Sequence, residues 1–229
     1  MDAFREIKFR RHAPRSGAEQ RNLDRAAMLD ACHLTVASEV AMQPIRVRPT
    51  RLDRDVAGAV VQHAGPFWEK IAEGATWGAD EHVLIGAAAV FWILSRGGSG
   101  QERTAGNHLF AASVLTGALP HLLKNFFNQR RPDRLTAIGH LHGIPISGRP
   151  NDAFPSGHAM HMGALAGAAS AFPSPYRETT WAASVGISLT RIFVLAHWTS
   201  DVVVGFAGGL LLERMLRRWT AYGNGSNPP

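Results

Sequence analysis

Between positions 54 and 219 the chain is a series of long uncharged runs separated by short polar breaks. Asp, Glu, Lys and Arg are absent from 82–95, 104–123 and 153–176, and the stretch 179–212 holds only Arg191 and Asp201 of these types. Such runs are those of buried helices, in a bilayer or in the interior of a soluble helical bundle rich in Ala and Gly. Six spans are predicted, at 55–72, 82–95, 104–123, 157–172, 180–195 and 200–216. Several are shorter than the roughly 20 residues a spanning helix usually needs, and the first also contains His63, Glu69 and Lys70. The expected fold class is all-α, an integral membrane helical bundle of about six transmembrane helices carrying an amphipathic N-terminal arm.

The arm is different in kind. Arg5, Lys8, Arg10, Arg11, Arg15, Arg21, Arg25, Arg46 and Arg48 crowd the first fifty positions. Leu23, Ala26, Ala27, Leu34, Ala37 and Ala41 fall on one face of a helix predicted over 18–42, which can lie on lipid headgroups or on the body of the protein. No apolar signal core is legible in 1–16, so export of the whole chain is not expected. The predicted organisation is a cationic cytoplasmic arm over 1–53, a membrane domain over 54–219 and a flexible tail over 220–229.

A length of 229 residues suits one domain with its own core, and the single cysteine, Cys32, excludes an intrachain disulfide. The net charge of +6 is carried almost wholly by arginine, and it admits nucleic acid, an anionic membrane or a phosphate-bearing substrate as partner. Position along the chain separates them. With the spans above, the arm, the loop with Arg96 and Arg103, the turn with Arg177 and the tail with Arg214, Arg217 and Arg218 share one side, as positive-inside orientation requires. The expected setting is the inner membrane of the cell, multi-pass, with both termini cytoplasmic, membrane lipids as surroundings and no nucleic acid. The segment 124–155 breaks that rule. It places Lys124, Arg130, Arg131, Arg134 and Arg149 on the outer face, where they suggest a site for an anion.

Polar residues meet the apolar runs at three places. In "KNFFNQRRP", Lys124 and Arg131 are seven apart, close to two helical turns, so a helix lasting until Pro132 would present both from one face. In "PSGH", Ser156 is a good N-cap, Gly157 lets a ligand approach the backbone, and the free N–H groups of a helix start receive phosphate. His158 sits on the first turn beside them, and His161, one turn on, can line the same mouth or pack as an ordinary core histidine, of which the second is expected. In "TRIFVLAHWTSD", His197 and Asp201 are four apart, so the carboxylate can accept from one imidazole nitrogen and leave the other free. Arg191 and His197 lie on different faces of a continuous helix; a bend between two helices would bring both to one pocket. Intramembrane Arg and Asp are functional candidates by default.

The order K-x(6)-R-P, P-S-G-H and [S/T]-R-x(5)-H-x(3)-D resembles the type 2 phosphatidic acid phosphatase superfamily, which also contains bacterial class A acid phosphatases and vanadium haloperoxidases. The motifs cover Lys124 to Asp201, and Thr190 stands where serine is usual. The resemblance implies that Lys124, Arg131 and Arg191, with Ser156 and the Gly157 N–H, cradle a phosphate. It implies that His197, oriented by Asp201, attacks phosphorus and that His158 protonates the leaving oxygen. Fixed cations take the place of metal, so neither metal nor other cofactor is expected. The implied activity is hydrolysis of a lipid phosphate or diphosphate, phosphatidate-like or isoprenyl, through a phosphohistidine. A soluble acid phosphatase or haloperoxidase relative, and a non-enzymatic membrane protein that binds anionic lipid, are the alternatives.

Overall fold

The computed structural model describes residues 43–76, 78, 80–132 and 149–223. The arm helix expected over 18–42, Arg134 and the tail beyond 223 lie outside the described residues. Two short strands, β1 (Ile45–Arg46) and β2 (Phe127–Asn128), accompany seven α-helices among the described residues: α1 (Arg51–His63), α2 (Pro66–Thr76), α3 (Glu81–Leu94), α4 (Gly100–Lys124), α5 (Gly157–Ala168), α6 (Tyr176–Phe193) and α7 (Thr199–Thr220).

Five of the six predicted spans, from 82–95 onward, correspond to α3 through α7. The first does not form one helix. The chain leaves α1 at Ala64, which is extended (φ −74°, ψ 112°), and starts α2 at Pro66. Proline has no N–H to continue the ladder and disfavours helical geometry in the residue before it, so Gly65-Pro66 breaks the run. The two halves buttress one loop. Ala57, with Val60 and Val61, packs on Leu195, Trp198 and Ala153, and Ala72 packs on Val194 and Ala196.

Local chemistry sets the helix starts. Thr50 and Asp53 form a reciprocal capping box on α1, as do Ser99 and Glu102 on α4, and Asp80 caps α3 through the N–H groups of His82 and Val83. β1 runs parallel to β2, pairing Ile45 with Phe127 and Arg46 with Asn128. The segment 44–53, read from sequence as the end of the arm, is thereby joined to the helical unit.

α5 and α7 form the centre and meet backbone to backbone. A Cβ on Gly163 would strike the carbonyl oxygen of Phe206, one on Gly205 that of Ser156, and one on Gly209 that of Met160. Three glycines at these positions therefore allow an approach that side chains would prevent. Ala159, Met160, Met162, Ala164, Ala166 and Ala168 of α5 are buried. The outer surface is the reverse of a soluble bundle's. Val83, Val90, Phe91, Ile93 and Leu94 on α3, Val185 and Leu189 on α6, and Val203, Val204, Leu211 and Met215 on α7 all face outward. Among the described residues, one candidate span, the one that contains α3, is long and apolar enough by length and composition to cross a membrane. Outward apolar faces of this extent suit lipid as the surrounding medium.

Candidate active site

Four helix ends meet at one end of the bundle: the C-termini of α4 and α6 and the N-termini of α5 and α7. The starts of α5 and α7 are tied directly, because the Ser156 N–H donates to the carbonyl of Asp201 at 3.2 Å. Ser156 caps α5 as its sequence suggests, its hydroxyl accepting from the Ala159 N–H at 3.4 Å. His158, half-buried on the first turn, lies within electrostatic reach of Arg191, Asp80, His161 and Lys124. Gly157 has room beside it, since an added Cβ would meet Pro120 at an ordinary 3.5 Å.

The bend required between Arg191 and His197 is present. α6 stops at Phe193, Leu195 takes a left-handed conformation (φ 52°), and the N–H groups of Ala196 and His197 both donate to the carbonyl of Arg191 at 3.1 Å. The reversal turns His197 back beside the arginine. Both are buried, with 4% of Arg191 and 3% of His197 exposed. No hydrogen bond to a described residue satisfies the Arg191 Nε, an expensive state for a buried cation unless an anion completes it.

His197 is oriented differently from the sequence expectation. Its Nδ1 donates to the carbonyl oxygen of Ala153 at 2.7 Å, whereas Asp201 Oδ2 lies 3.8 Å away, beyond hydrogen-bonding distance. Asp201 instead accepts from the Trp198 N–H at 2.9 Å and so caps α7. A carboxylate at the third position of a helix reaches the N-cap amide naturally, and that amide outcompetes the imidazole. The carbonyl still selects the tautomer in which Nε2 is the free base, and Nε2 makes no hydrogen bond with the described residues. Burial, and then the charges of Arg131, Arg191 and Lys124, hold the imidazole well below its ordinary pKa, so it is neutral and nucleophilic at neutral pH.

Lys124 and Arg131 converge by a route other than the one predicted. The helix ends at Lys124, and the chain turns at Asn125 and Phe126 and continues extended through β2, because the backbone of Phe126–Asn128 is claimed by β1: Ile45 N–H donates to Phe126 O at 2.7 Å and Val47 N–H to Asn128 O at 2.9 Å. Arg131 is therefore off the helix. Its guanidinium donates to the carbonyl of Ala196 at 2.9 Å and to Asp152 Oδ1 at 2.9 Å, and Asp152 Oδ2 lies 3.7 Å from Lys124 Nζ.

Three residues of this arrangement escaped the sequence reading. Asp152 bridges the two cations. Trp198, fully buried, donates from its indole to the carbonyl of Arg130 at 2.7 Å and pins the third motif to the first. Asp53, 1% exposed, accepts from the Ser200 N–H at 2.8 Å and hydroxyl at 2.9 Å, fixing the start of α7 from α1. The capping-box spacing of Thr50 and Asp53 was a legible signal for a helix start, but nothing in it points to Ser200. His161 is packed as expected, its ring nitrogens facing the carbonyls of Gly157 and Ser113 at 3.3 and 3.2 Å. Thr190 donates to Ile187 O and touches Thr76, which places its hydroxyl in a helix contact. Among the described residues no group of three His, Cys, Asp or Glu side chains is placed to share a metal ion.

An all-helical bundle with cations, a free imidazole and a helix N-terminus gathered at one end defines the membrane phosphatases of the PAP2 type. Two solved structures share the fold: Aquifex aeolicus LpxE, with TM-score 0.61 and 18% identity over 76% of this chain and 99% of that one, and the transmembrane PAP2 type phosphatidylglycerolphosphate phosphatase of Bacillus subtilis, with TM-score 0.55 and 18% identity over 74% and 84%. The PAP2 superfamily model matches residues 105–224, and the chain belongs to that superfamily. Two lipid A 1-phosphatases are similar in sequence. Those of Rhizobium etli and Rhizobium johnstonii are each 36% identical over 105 residues, 45% of this chain. The match spans less than half the length of these relatives, 45% and 43% respectively.

Proposed function

We propose that the protein is a membrane lipid phosphatase that transfers a phosphoryl group from a lipid phosphate to His197 and then to water. The observation that carries this reading is the free Nε2 of a neutral, buried His197 standing next to a buried guanidinium, Arg191, that has an unsatisfied Nε. A phosphate placed between them completes the arginine and presents phosphorus to the imidazole. Lys124, Arg131, Ser156 and the Gly157 N–H supply the remaining positive ends of the cradle. Nε2 attacks in line, the lipid–oxygen bond to phosphorus breaks, and His158 gives its proton to the departing alkoxide. Water, deprotonated by the now neutral His158, then displaces His197 and releases inorganic phosphate. Asp201 acts on His197 by holding the Trp198 amide and so the end of the loop that carries the imidazole.

The relatives' names support a phosphate on a glycolipid, as in lipid A, as the substrate class. The arginines at the far ends of the helices support an orientation with the site on the outer face of the inner membrane and the C-terminus in the cytoplasm. Arg46 in β1 and Arg48 just after it, by contrast, stand on the site's own side, where β1 pairs with β2 and Asp53 holds Ser200. Arg96, Arg103, Arg177, Arg217 and Arg218 belong to the ends of α3, α4, α6 and α7 remote from Lys124 and Arg131.

The test separates the two histidines. His197→Ala should abolish phosphate release from every substrate and leave no acid-labile phosphoenzyme. His158→Ala should lose far more activity on a lipid alkoxide than on an activated aryl phosphate, whose leaving oxygen needs little protonation. Phosphoenzyme in the His197 variant, or equal loss on both substrates in the His158 variant, would overturn the assignment.

A further inference from the structure

Of the three cations at the site, two already share a counter-ion. Arg131 donates to Asp152 Oδ1 from NH2 at 2.9 Å and from Nε at 3.2 Å, and Lys124 Nζ lies 3.7 Å from Oδ2. The Asp152 side chain is 22% exposed. It lines a cavity of about 610 Å³ together with Lys124, Asn125, Asn128, Arg149 and Asn151. That cavity meets the site at Lys124, and its lining does not include His158, Arg191 or His197. Arg191 has no such partner among the described residues. Asp152 is itself held by the chain around it. The Gln129 N–H donates to Asn151 O at 3.1 Å and the Ala153 N–H to Gln129 O at 3.0 Å, so the carboxylate is carried on a segment paired to the first motif on both sides.

We propose that Asp152 is a specificity-determining residue that fits the site to a phosphate monoester and against a diphosphate. The inference rests on the reading of the site as a lipid phosphatase and names which phosphate it takes. A single phosphate at His197 Nε2 is met by Arg191, by the start of α5 and by the Arg131 face turned towards Ala196, while Asp152 stays where it is. A diphosphate carries a second anionic group joined to the first through one oxygen. Among the described residues, the cations beside it are Lys124 and Arg131, which both face Asp152, and Arg149, which lines the same cavity as Asp152. The second phosphate must then displace the carboxylate or stand against it as a like charge. The other carboxylates nearby, Asp201 and Asp53, are turned to backbone N–H groups at the start of α7 and act alike on both substrates.

The test compares a prenyl monophosphate with the matching prenyl diphosphate in detergent, using the wild type, Asp152→Asn and Asp152→Glu. Asparagine keeps an acceptor for Arg131 and removes the charge. The ratio of kcat/KM for diphosphate to that for monophosphate should rise about tenfold or more in Asp152→Asn, the scale of deleting one like charge near contact in a partly solvated site. It should stay near the wild-type ratio in Asp152→Glu. A residue needed only for folding would lower both rates together, and an unchanged ratio in Asp152→Asn overturns the proposal. Should that variant not fold, inhibition of the wild type decides: orthophosphate is expected to bind more tightly than pyrophosphate, and the reverse order refutes the charge argument. Failure of the phosphatase reading is a separate result, in which the wild type releases phosphate from neither lipid. Calorimetric binding of orthophosphate and pyrophosphate to the same protein then still tests Asp152.

Discussion

Replacing Asp53 by alanine should unfasten the start of α7 and, with it, the loop that carries His197. Four donors converge on this buried carboxylate: the Ser200 N–H at 2.8 Å and hydroxyl at 2.9 Å, and the Thr50 N–H at 2.8 Å and hydroxyl at 2.9 Å. Hydrogen bonds to an ionised group contribute about 1.5–3 kcal/mol each. The four share one acceptor and do not add, so the expected loss is about 3–5 kcal/mol, chiefly from leaving the Ser200 and Thr50 amides without partners. For a chain of this length that is a fall in Tm of roughly 10 °C. The assay is thermal unfolding of the detergent-solubilised protein, with kcat measured on the same preparation. The pH dependence checks the cause. Burial raises the pKa of Asp53, but the hydrogen bonds from Ser200 and Thr50 outweigh it, and the group lies below its ordinary 3.8. Its stabilisation is therefore full above the unfolded value and is lost as pH falls through the folded one. The gap between wild type and Asp53→Ala should be constant at neutral pH and narrow below about pH 4. A Tm equal to that of the wild type at neutral pH, or a gap that widens in acid, would refute the reasoning.

Other positions give sharper contrasts. Gly209→Ala must push its Cβ into the Met160 carbonyl and within 2.8 Å of the Ala164 amide, both backbone, and should cost about 1–3 kcal/mol in a thermal melt. Gly186→Ala, with open space around it in α6, should raise Tm slightly, and equal effects at the two sites would mean that α5 and α7 do not meet as described. Because His197 is held well below its ordinary 6.5, its neutral form persists in mild acid, and any acid limb of kcat/KM arising from it should fall below pH 6.5. The same depression means that the unfolded chain takes up the proton first. Stability from this residue is full above about pH 6.5 and declines as pH drops, a slope that His197→Gln should flatten.

The charge-free runs were enough to place α3 through α7, because a helix that is apolar over its length has no other economical environment, and that property is local. The span predicted at 55–72, which is not charge-free, failed as a single helix because Gly65-Pro66 is a dipeptide that the backbone does not carry through a helix. The three motifs likewise named the groups that meet at the end of the bundle, since phosphate chemistry restricts which side chains can serve. Their spacing also contained the bend before His197, because Arg191 and His197 cannot share a pocket on a straight helix. The partners of these groups were decided elsewhere. Ala153 holds Nδ1 of His197 through a backbone carbonyl, which every residue possesses and no sequence pattern marks. Asp201 was available to either the imidazole or the Trp198 amide, and the geometry of a helix start gave it to the amide. Lys124 and Arg131 come together through β1, a strand that begins 79 positions before Lys124 in the chain, and not through a common helix. Asp152 and Asp53 acquire their roles only when segments far apart in the chain close on them. The identity of the reacting groups is a matter of side-chain chemistry and can be read along the chain, whereas their orientation depends on which distant backbone atoms the fold brings within three ångströms of them.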